Sequence, residues 1–388
     1  MSPSSSKPVV SAIVLAAGES RRMGRPKQLL RLGDRTLLDL ALDNVRQSSA
    51  EEIILVLGSS AAEIKQQVAT KGLKVVVNPA YAEGMGSSLR AGIAAVDPNT
   101  QAALIVLADQ PLVRPATLDR LIEHHRSTGA QIVIPTYNGF RGNPVLLDRS
   151  VFREVMEIRG DIGCRAIFGG HTENISKLEV ADVGILLDVD TGGDLEKLAA
   201  APAESNPGAP STIADLESRS YERKTGGEGA EVSAEQPDLV VVGRDEMATA
   251  LVKLGHLLRF STTLVDPLLR LQDLPEADRV LHRLDFSLLA PNRERYFVVA
   301  SRGQFDEDAL EQAFRSDAAY VGLVAGNKRR QELAAALGRK GIATERLKLL
   351  CNSAGLEIGA ESPEEIALSV MAEIVAVRGK PGRKTHGE

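Results

Sequence analysis

From Val9 to Ala200, short apolar runs alternate with amphipathic stretches, the pattern of buried parallel strands joined by crossover helices. VVSAIVL, EIILVL, KVVV, AALIVL and QIVIP are β-branched and almost unbroken by polar residues, which predicts strands covered on both faces. TLLDLALDNVRQ, SSLRAGIAAV and ATLDRLIEHHR carry their apolar residues at helical spacing and predict the helices between them. The expected fold is α/β, an N-terminal doubly wound Rossmann-like sheet over residues 8–200. From Pro202 to Pro237 the chain becomes poor in large apolar side chains, too poor to offset the entropy of ordering, so residues 201–237 read as a flexible linker. LVVVG, STTLVD, RYFVVAS and AYVGLV then resume the strand pattern, separated by helical stretches such as MATALVKLGHLL and KRRQELAAALG. They predict a second, smaller Rossmann-like α/β domain over residues 238–378, followed by a disordered tail.

The totals narrow the function classes. A chain of 388 residues, 43% hydrophobic, can bury a core in each domain. A net charge of -6 without a basic stripe argues against a nucleic-acid partner. The N-terminal MSPSSSKP lacks the apolar segment of a signal peptide, and no run of about 18 apolar residues predicts a membrane span. Cys164 and Cys351 lie far apart, with neither disulfide-framework nor zinc-ligand spacing. A cytoplasmic location is the expectation.

Three stretches carry candidate chemistry. LAAGESRRMGRPK, residues 15–27, puts glycines and cations directly after the first strand. Gly18 and Gly24 would let backbone N–H groups approach phosphate oxygens where a Cβ would intrude. The spacing matches neither G-x-x-x-x-G-K-[ST] nor G-x-G-x-x-G, and an isolated loop of this kind is most simply solvated. Asp109 closes AALIVLADQPLV at the carboxyl edge of the predicted sheet, where open α/β folds bind ligands. It suits a magnesium ion, which prefers oxygen ligands, or a turn before Pro111. Asp190, in LLDVDTGGDL, suits a second carboxylate ligand or a helix cap. NPAYAEGMGSSLRAGI, residues 78–93, joins a loop to a helix start whose free N–H groups attract anions or a base edge, although Ser87 and Ser88 alone would read as N-caps.

The string LAAGESRRMGRPKQLL resembles, nearly position for position, the L-A-A-G-x-S-x-R-M-G-x-x-K signature of the MobA-like nucleotidyltransferases, in their molybdenum cofactor cytidylyltransferase branch. The resemblance covers roughly residues 8–200. It implies that Leu15, Ala16, Ala17 and Gly18 line the nucleotide site, that Arg21 and Lys27 contact the triphosphate, and that Asp109 and Asp190 hold Mg²⁺. N-P-x-Y-x-x-G-M-x-x-S-L, RGNPVLL and RGDIGCR follow in family order. They bring in Asn78, Gly84, Ser87 and Ser88 on the nucleotide side and Met85, Arg141, Asp161, Gly163 and Arg165 on the acceptor side. Asn143 stands where the family has His, Leu147 for Phe, Cys164 for Ala and Gly192 for Pro. The implied activity is transfer of CMP from CTP to molybdopterin with release of pyrophosphate. The alternatives are a non-catalytic cofactor chaperone, or a transferase using GTP or a sugar-phosphate acceptor.

In the second half, Asp266 follows STTLVD's strand at the position where an acid bonds a ribose hydroxyl, but Gly243 is followed by Arg244, Asp245 and Glu246, bulky groups that argue against NAD. ASRGQFDEDALEQAF, AAYVGLVAGNKRR and SAGLEIGAESPEEIALSVMAEIVAVR resemble the C-terminal domain of XdhC-type maturation proteins over roughly residues 238–378. That resemblance implies binding of molybdenum cofactor and delivery to a client molybdenum hydroxylase such as xanthine dehydrogenase. The family's G-A-G-H is G-R-D-E here, and its R-G-H ends in Gln304. SPEEI predicts a helix start, with Ser362 as N-cap, Pro363 at the first position and Glu365 completing a capping box.

Overall fold

The computed structural model describes residues 9–20, 26–189, 221–222, 236–269, 277–289, 291, 293–351 and 354–379. These form two compact units, residues 9–20, 26–137 and 141–189 in the first, and residues 138–140, 221–222 and the described part of 236–379 in the second.

The first unit runs β1 (Val9–Ala16), a two-residue hairpin β2 (Arg31–Leu32) and β3 (Arg35–Thr36), α1 (Leu37–Arg46), β4 (Glu52–Leu57), α2 (Ala61–Gln67), β5 (Lys74–Val77), α3 (Met85–Ala94), β6 (Thr100–Leu107) and α4 (Pro115–Thr128). The chain continues through β7 (Ile132–Tyr137), β8 (Phe140–Arg141), β9 (Val145–Asp148), the one-turn helices α5 (Phe152–Val155) and α6 (Arg165–Phe168), and β10 (Ile175–Glu179). The sheet order is β10-β7-β9-β6-β1-β4-β5, with β8 paired to β7. All five runs expected to be strands are strands. Alternation sorts their side chains: Val10, Ala12, Val14, Leu55 and Leu104 pack with Leu38, Leu42, Ile64, Leu118 and Leu121 in one core. Ile13, Ile54, Val56 and Ile105 pack with Leu89, Ile93 and Phe152 in another. Helices therefore cover both faces, as a doubly wound sheet requires. One strand departs from the parallel expectation: β9 lies antiparallel to both β6 and β7. Its short VLLD follows a reversal through β8, so it returns beside its predecessor without a crossover helix.

The second unit contains β11 (Tyr221–Glu222), β12 (Asp238–Val242), α7 (Glu246–Leu257), β13 (Ser261–Val265), β14 (Arg279–Leu281), β15 (Arg295–Val299), α8 (Asp306–Arg315), β16 (Ala318–Leu323), α9 (Asn327–Arg339), α10 (Thr344–Cys351) and α11 (Pro363–Arg378). Its order is β11-β14-β13-β12-β15-β16, parallel apart from the β11–β14 pair. β12, β13, β15 and β16 are the four strands expected here. The capping box also forms: Ser362 accepts from Glu365 N while the Glu365 carboxylate accepts from Ser362 N. Among the described residues no helix is long and apolar enough to cross a membrane.

Candidate functional site

β1 has β4 on one side and β6 on the other, both parallel to it, so the chain's winding reverses at β1 and opens a crevice at the carboxyl ends of β1 and β6. The bond Ala108 N to Leu15 O, 3.2 Å, extends the zipper to the last residues of both strands. From there the chain passes Gly18 and Ser20, and Pro26 leads into a 3₁₀ turn over Lys27–Leu29. Gln28 is buried and fastens this turn, its Nε2 donating to the carbonyls of Ala16 and Gly18 at 3.1 Å each. Lys27 N donates to Ser20 Oγ at 2.9 Å, with Ser20 in the left-handed region at φ 53°. Lys27 is thereby set to cross the crevice, and its Nζ lies 2.5 Å from Asp109 Oδ2.

Asp109 is fixed from behind. Its carbonyl accepts from Val189 N at 3.0 Å, and Gln110 Nε2 donates to Asp188 Oδ1 at 2.5 Å and Ile185 O at 3.3 Å. The two side chains of the Lys27–Asp109 pair keep 21% and 19% of their surface exposed, so a ligand can reach both. In the next residue along from each, the carbonyl oxygens Gln28 Oε1 and Gln110 Oε1 are buried and accept no hydrogen bond among the described residues. Among the described residues no three His, Cys, Asp or Glu side chains gather as a metal cage. One reachable carboxylate in a crevice suits an ion of magnesium type, which takes its remaining ligands from water and phosphate.

Gly58, immediately after β4, is a position sequence reasoning missed. A Cβ there would lie 2.3 Å from Ala17 O and 2.9 Å from Tyr81 Cβ, so glycine lets the 16–18 loop and the 78–84 loop close on each other. The available signal was a glycine directly following the strand EIILVL at the carboxyl edge.

The structure gathers Asn78, Ser87 and Ser88 into a buried knot: Asn78 Nδ2 donates to Ser87 Oγ at 2.8 Å and Ser88 Oγ at 3.0 Å, while Asn78 Oδ1 accepts from Ala80 N. The N-cap reading of the two serines is corrected, because they lie inside α3 and Gly84, at φ 101°, is the N-cap residue. The helix start is also less open than expected. Met85 N donates to Asp161 Oδ1 at 3.0 Å and Gly86 N to Gly160 O at 2.9 Å. Asp161 thus caps α3 from the RGDIGCR segment. Gly163 lies in the same cluster, since a Cβ on it would be 2.7 Å from Met85 Sδ, and Met85 itself is exposed. Arg141, on β8, is half-buried, and Arg165, at the start of α6, is exposed. Cys164 is half-buried with its thiol desolvated, which pushes it up to about 12 and leaves it an inert filler at neutral pH. Arg21, Gly24 and Asp190 lie outside the described residues.

At the corresponding edge of the second unit two carboxylates are buried and a third is paired with an exposed arginine. Gly243 has φ 140°, and a Cβ there would lie 2.4 Å from Ala300 O. Asp245 caps α7 through Ala248 N at 3.1 Å and accepts from Arg302 Nε at 2.6 Å. Asp306 accepts from Ser301 Oγ at 2.6 Å, with Arg329 Nε at 3.4 Å. Asp266 is 1% exposed and accepts from Leu268 N at 2.8 Å. Burial pushes its carboxyl up to about 6, against the opposing pull of Arg244, whose Nη1 lies 3.8 Å away.

Comparison with known proteins agrees with this division. Residues 12–175 match the MobA-like NTP transferase domain and residues 239–374 the XdhC Rossmann domain. Nicotine blue oxidoreductase of Paenarthrobacter nicotinovorans is 30% identical over 200 residues, covering 49% of this chain and 97% of that protein. The molybdenum cofactor cytidylyltransferase of Escherichia coli K12 is 30% identical over 190 residues, covering 48% and 93% respectively. Among solved structures, Rv0371c of Mycobacterium tuberculosis H37Rv is 37% identical, covers 49% of this chain and 98% of its own, and superposes with a TM-score of 0.46. Relatives matched over nearly their whole length establish the assignment: the chain belongs to the MobA-like nucleotidyltransferases and joins that domain to an XdhC Rossmann domain.

Proposed function

We propose that the first unit transfers CMP from CTP to the terminal phosphate of molybdopterin, and that the second binds the product or helps deliver it to a molybdenum hydroxylase of the xanthine dehydrogenase type. The observation that carries the reading is the Lys27–Asp109 pair, a cation and a hard-oxygen ligand facing each other at the crevice where β1 and β6 end. In this transfer an oxygen of the pterin phosphate forms a bond to the α-phosphorus as the bond to the bridging oxygen of the β-phosphate breaks, and pyrophosphate leaves. Lys27 would meet the charge that develops on the α-phosphate and the departing group, without solvent reorganisation because its turn is already fastened by Gln28 and Ser20. Asp109, with Asp190 as the second carboxylate the sequence offers, would hold Mg²⁺, which when bound supplies further neutralisation of the phosphates. Arg21 joins Lys27 on the triphosphate in this scheme. In the same scheme Gly18 and Gly24 would leave room for phosphate, the 78–84 loop and the first turn of α3 would serve the base, and Met85, Arg141, Gly163 and Arg165 would serve the acceptor. Asp161 acts indirectly by holding the start of α3.

The name of the E. coli relative supports CTP and molybdenum cofactor as substrates, and the XdhC match supports the client class. The test is pyrophosphate release with each of the four nucleoside triphosphates, with and without molybdopterin. Release from CTP only, and only with the pterin, is expected. Acceptor-independent binding without release would favour the chaperone reading, against which the retained Lys27 and Asp109 count. The relative named nicotine blue oxidoreductase motivates a second reading, redox chemistry on the same scaffold. Turnover that requires a reductant and yields no pyrophosphate would favour it.

A further inference from the structure

The pairing of Lys27 with Asp109 bears on how the proposed metal reaches its place. We propose that Lys27 selects the form in which the divalent ion is admitted: it holds the metal's position on Asp109, excludes the bare cation, and yields to a metal–nucleotide complex. The inference rests on the nucleotide reading of the crevice and goes beyond it.

The ammonium lies 2.5 Å from Asp109 Oδ2, with both side chains mostly withdrawn from water, where the pair interacts more strongly than at an open surface. A bare dication reaching Asp109 would have to displace that ammonium and then remain next to it. The backbone of Lys27 cannot retreat, because Ser20 Oγ holds its N–H and Gln28 anchors the following residue to Ala16 and Gly18. Only the side chain can swing. A nucleoside triphosphate changes the balance: its phosphate oxygens give the displaced ammonium a new partner while the accompanying metal takes the carboxylate. Both cations then end paired. By linkage, nucleotide and metal must each tighten the binding of the other, and Lys27 is the source of much of that coupling.

The test is titration of the full chain with Mn²⁺, free ion being read by electron paramagnetic resonance, with and without CTP. Wild type is expected to bind bare Mn²⁺ weakly and to gain affinity strongly when CTP is present. Lys27→Met keeps the stem and removes the charge; it should tighten bare Mn²⁺ at least tenfold and shrink the enhancement by CTP by a similar factor. Lys27→Arg, which keeps the charge, should bind bare Mn²⁺ as weakly as wild type. Asp109→Asn in either background should remove the Mn²⁺ in question, identifying the site. Bare affinity unchanged or weakened in Lys27→Met overturns the proposal. If Lys27→Met tightens Mn²⁺ while CTP does not bind wild type, the exclusion stands and the nucleotide reading falls. If CTP and Mn²⁺ enhance each other equally with and without the ammonium, the nucleotide reading stands and the exclusion falls.

Discussion

The carboxyl edges of the two sheets use the same ingredients to opposite ends. In both, a central strand is flanked by parallel neighbours and followed by a glycine-bearing loop, and a carboxylate stands at the edge with a basic side chain beside it. At the first edge the carboxylate and the ammonium remain reachable, each with about a fifth of its side-chain surface exposed. At the second, Asp266 and Asp306 each keep only 2% of the side chain exposed, with an arginine 3.8 Å and 3.4 Å away, whereas Asp245 keeps 20% and pairs with the exposed Arg302. A Rossmann-like edge alone does not define which ligand, if any, it takes. What matters is whether the charges keep one side open for a ligand.

The largest expected difference between the edges is catalytic. Asp109→Asn should lower turnover about 1,000-fold, roughly 4 kcal/mol of transition-state stabilisation, while CTP binding is partly retained. The matching change at the other edge, Asp266→Asn, should leave pyrophosphate release within about twofold of wild type. Steady-state release assays on both variants check this. Near-normal turnover in Asp109→Asn, or a large loss in Asp266→Asn, would erase the functional distinction.

Asp266 should instead show itself in stability. Its folded carboxyl lies near 6, above its ordinary 3.8, so the fold favours the protonated form. Its contribution is fully present below about pH 4, is lost as pH rises through 6, and is absent above that. A shift of this size corresponds to roughly 3 kcal/mol as a ceiling. Asp238, also raised by burial, acts in the same direction. The first unit contains the opposite case. Burial raises Asp148, but hydrogen bonds from Ser150 and the contact with His125 outweigh it and hold the carboxyl below the usual range. That contribution is present above pH 4 and lost as pH falls below it. Urea unfolding at pH 7.5 and pH 5.0, followed by hydrogen exchange in β13 and β9, should find the second unit gaining stability at the lower pH. Asp266→Asn should flatten that gain and, at pH 7.5, be no less stable than wild type.

The glycines at the two edges give a smaller contrast. Gly58→Ala and Gly243→Ala each force a Cβ to within 2.3–2.4 Å of a carbonyl oxygen, and the second also meets a φ of 140°. Both should cost about 1–3 kcal/mol. Gly58→Ala should additionally raise KM for CTP, because it separates the 16–18 loop from the 78–84 loop, whereas Gly243→Ala should leave KM unchanged. Equal kinetic effects would show that the loss is one of stability alone.

How much of this was legible in the sequence depended on whether the signal was local. Unbroken β-branched runs identified five strands of the first unit: β1, β4, β6 and β7 are largely buried, and the edge strand β5 carries the same run although none of its residues is buried. β9 and β10 were not read, since VLLD is short and ISKLE alternates only partly, and both are assigned by pairing, β9 between β6 and β7 and β10 at the edge beside β7. Lys27 and Asp109 stood out as residue types beside strand ends, but their meeting across 82 positions depends on β1 and β6 being neighbours, a tertiary fact. Gln28 and Gln110 gave no signal, because an amide that fastens two carbonyls resembles any polar loop residue until the fold brings those carbonyls to it. Asp161 was read for its chemistry and proves to cap a helix 76 residues away.

The smallest expected effect concerns Arg302, whose guanidinium makes a 2.6 Å bond to Asp245 although its side chain is 73% exposed. An exposed pair of this kind is worth little, because the long side chain loses entropy in holding one geometry and water screens the charges. Arg302→Ala should therefore change stability by less than about 0.5 kcal/mol. Arg302 also sits at φ 50°, where a Cβ is strained, so Arg302→Gly should be neutral or slightly stabilising despite losing the same bond. Urea midpoints for the two variants separate the contributions. A loss above about 1 kcal/mol in both would mean that the ion pair is worth more than its exposure suggests; a loss in alanine alone would mean that the lost pair is offset in glycine by relief of the turn, leaving the difference between the edges with the buried Asp266.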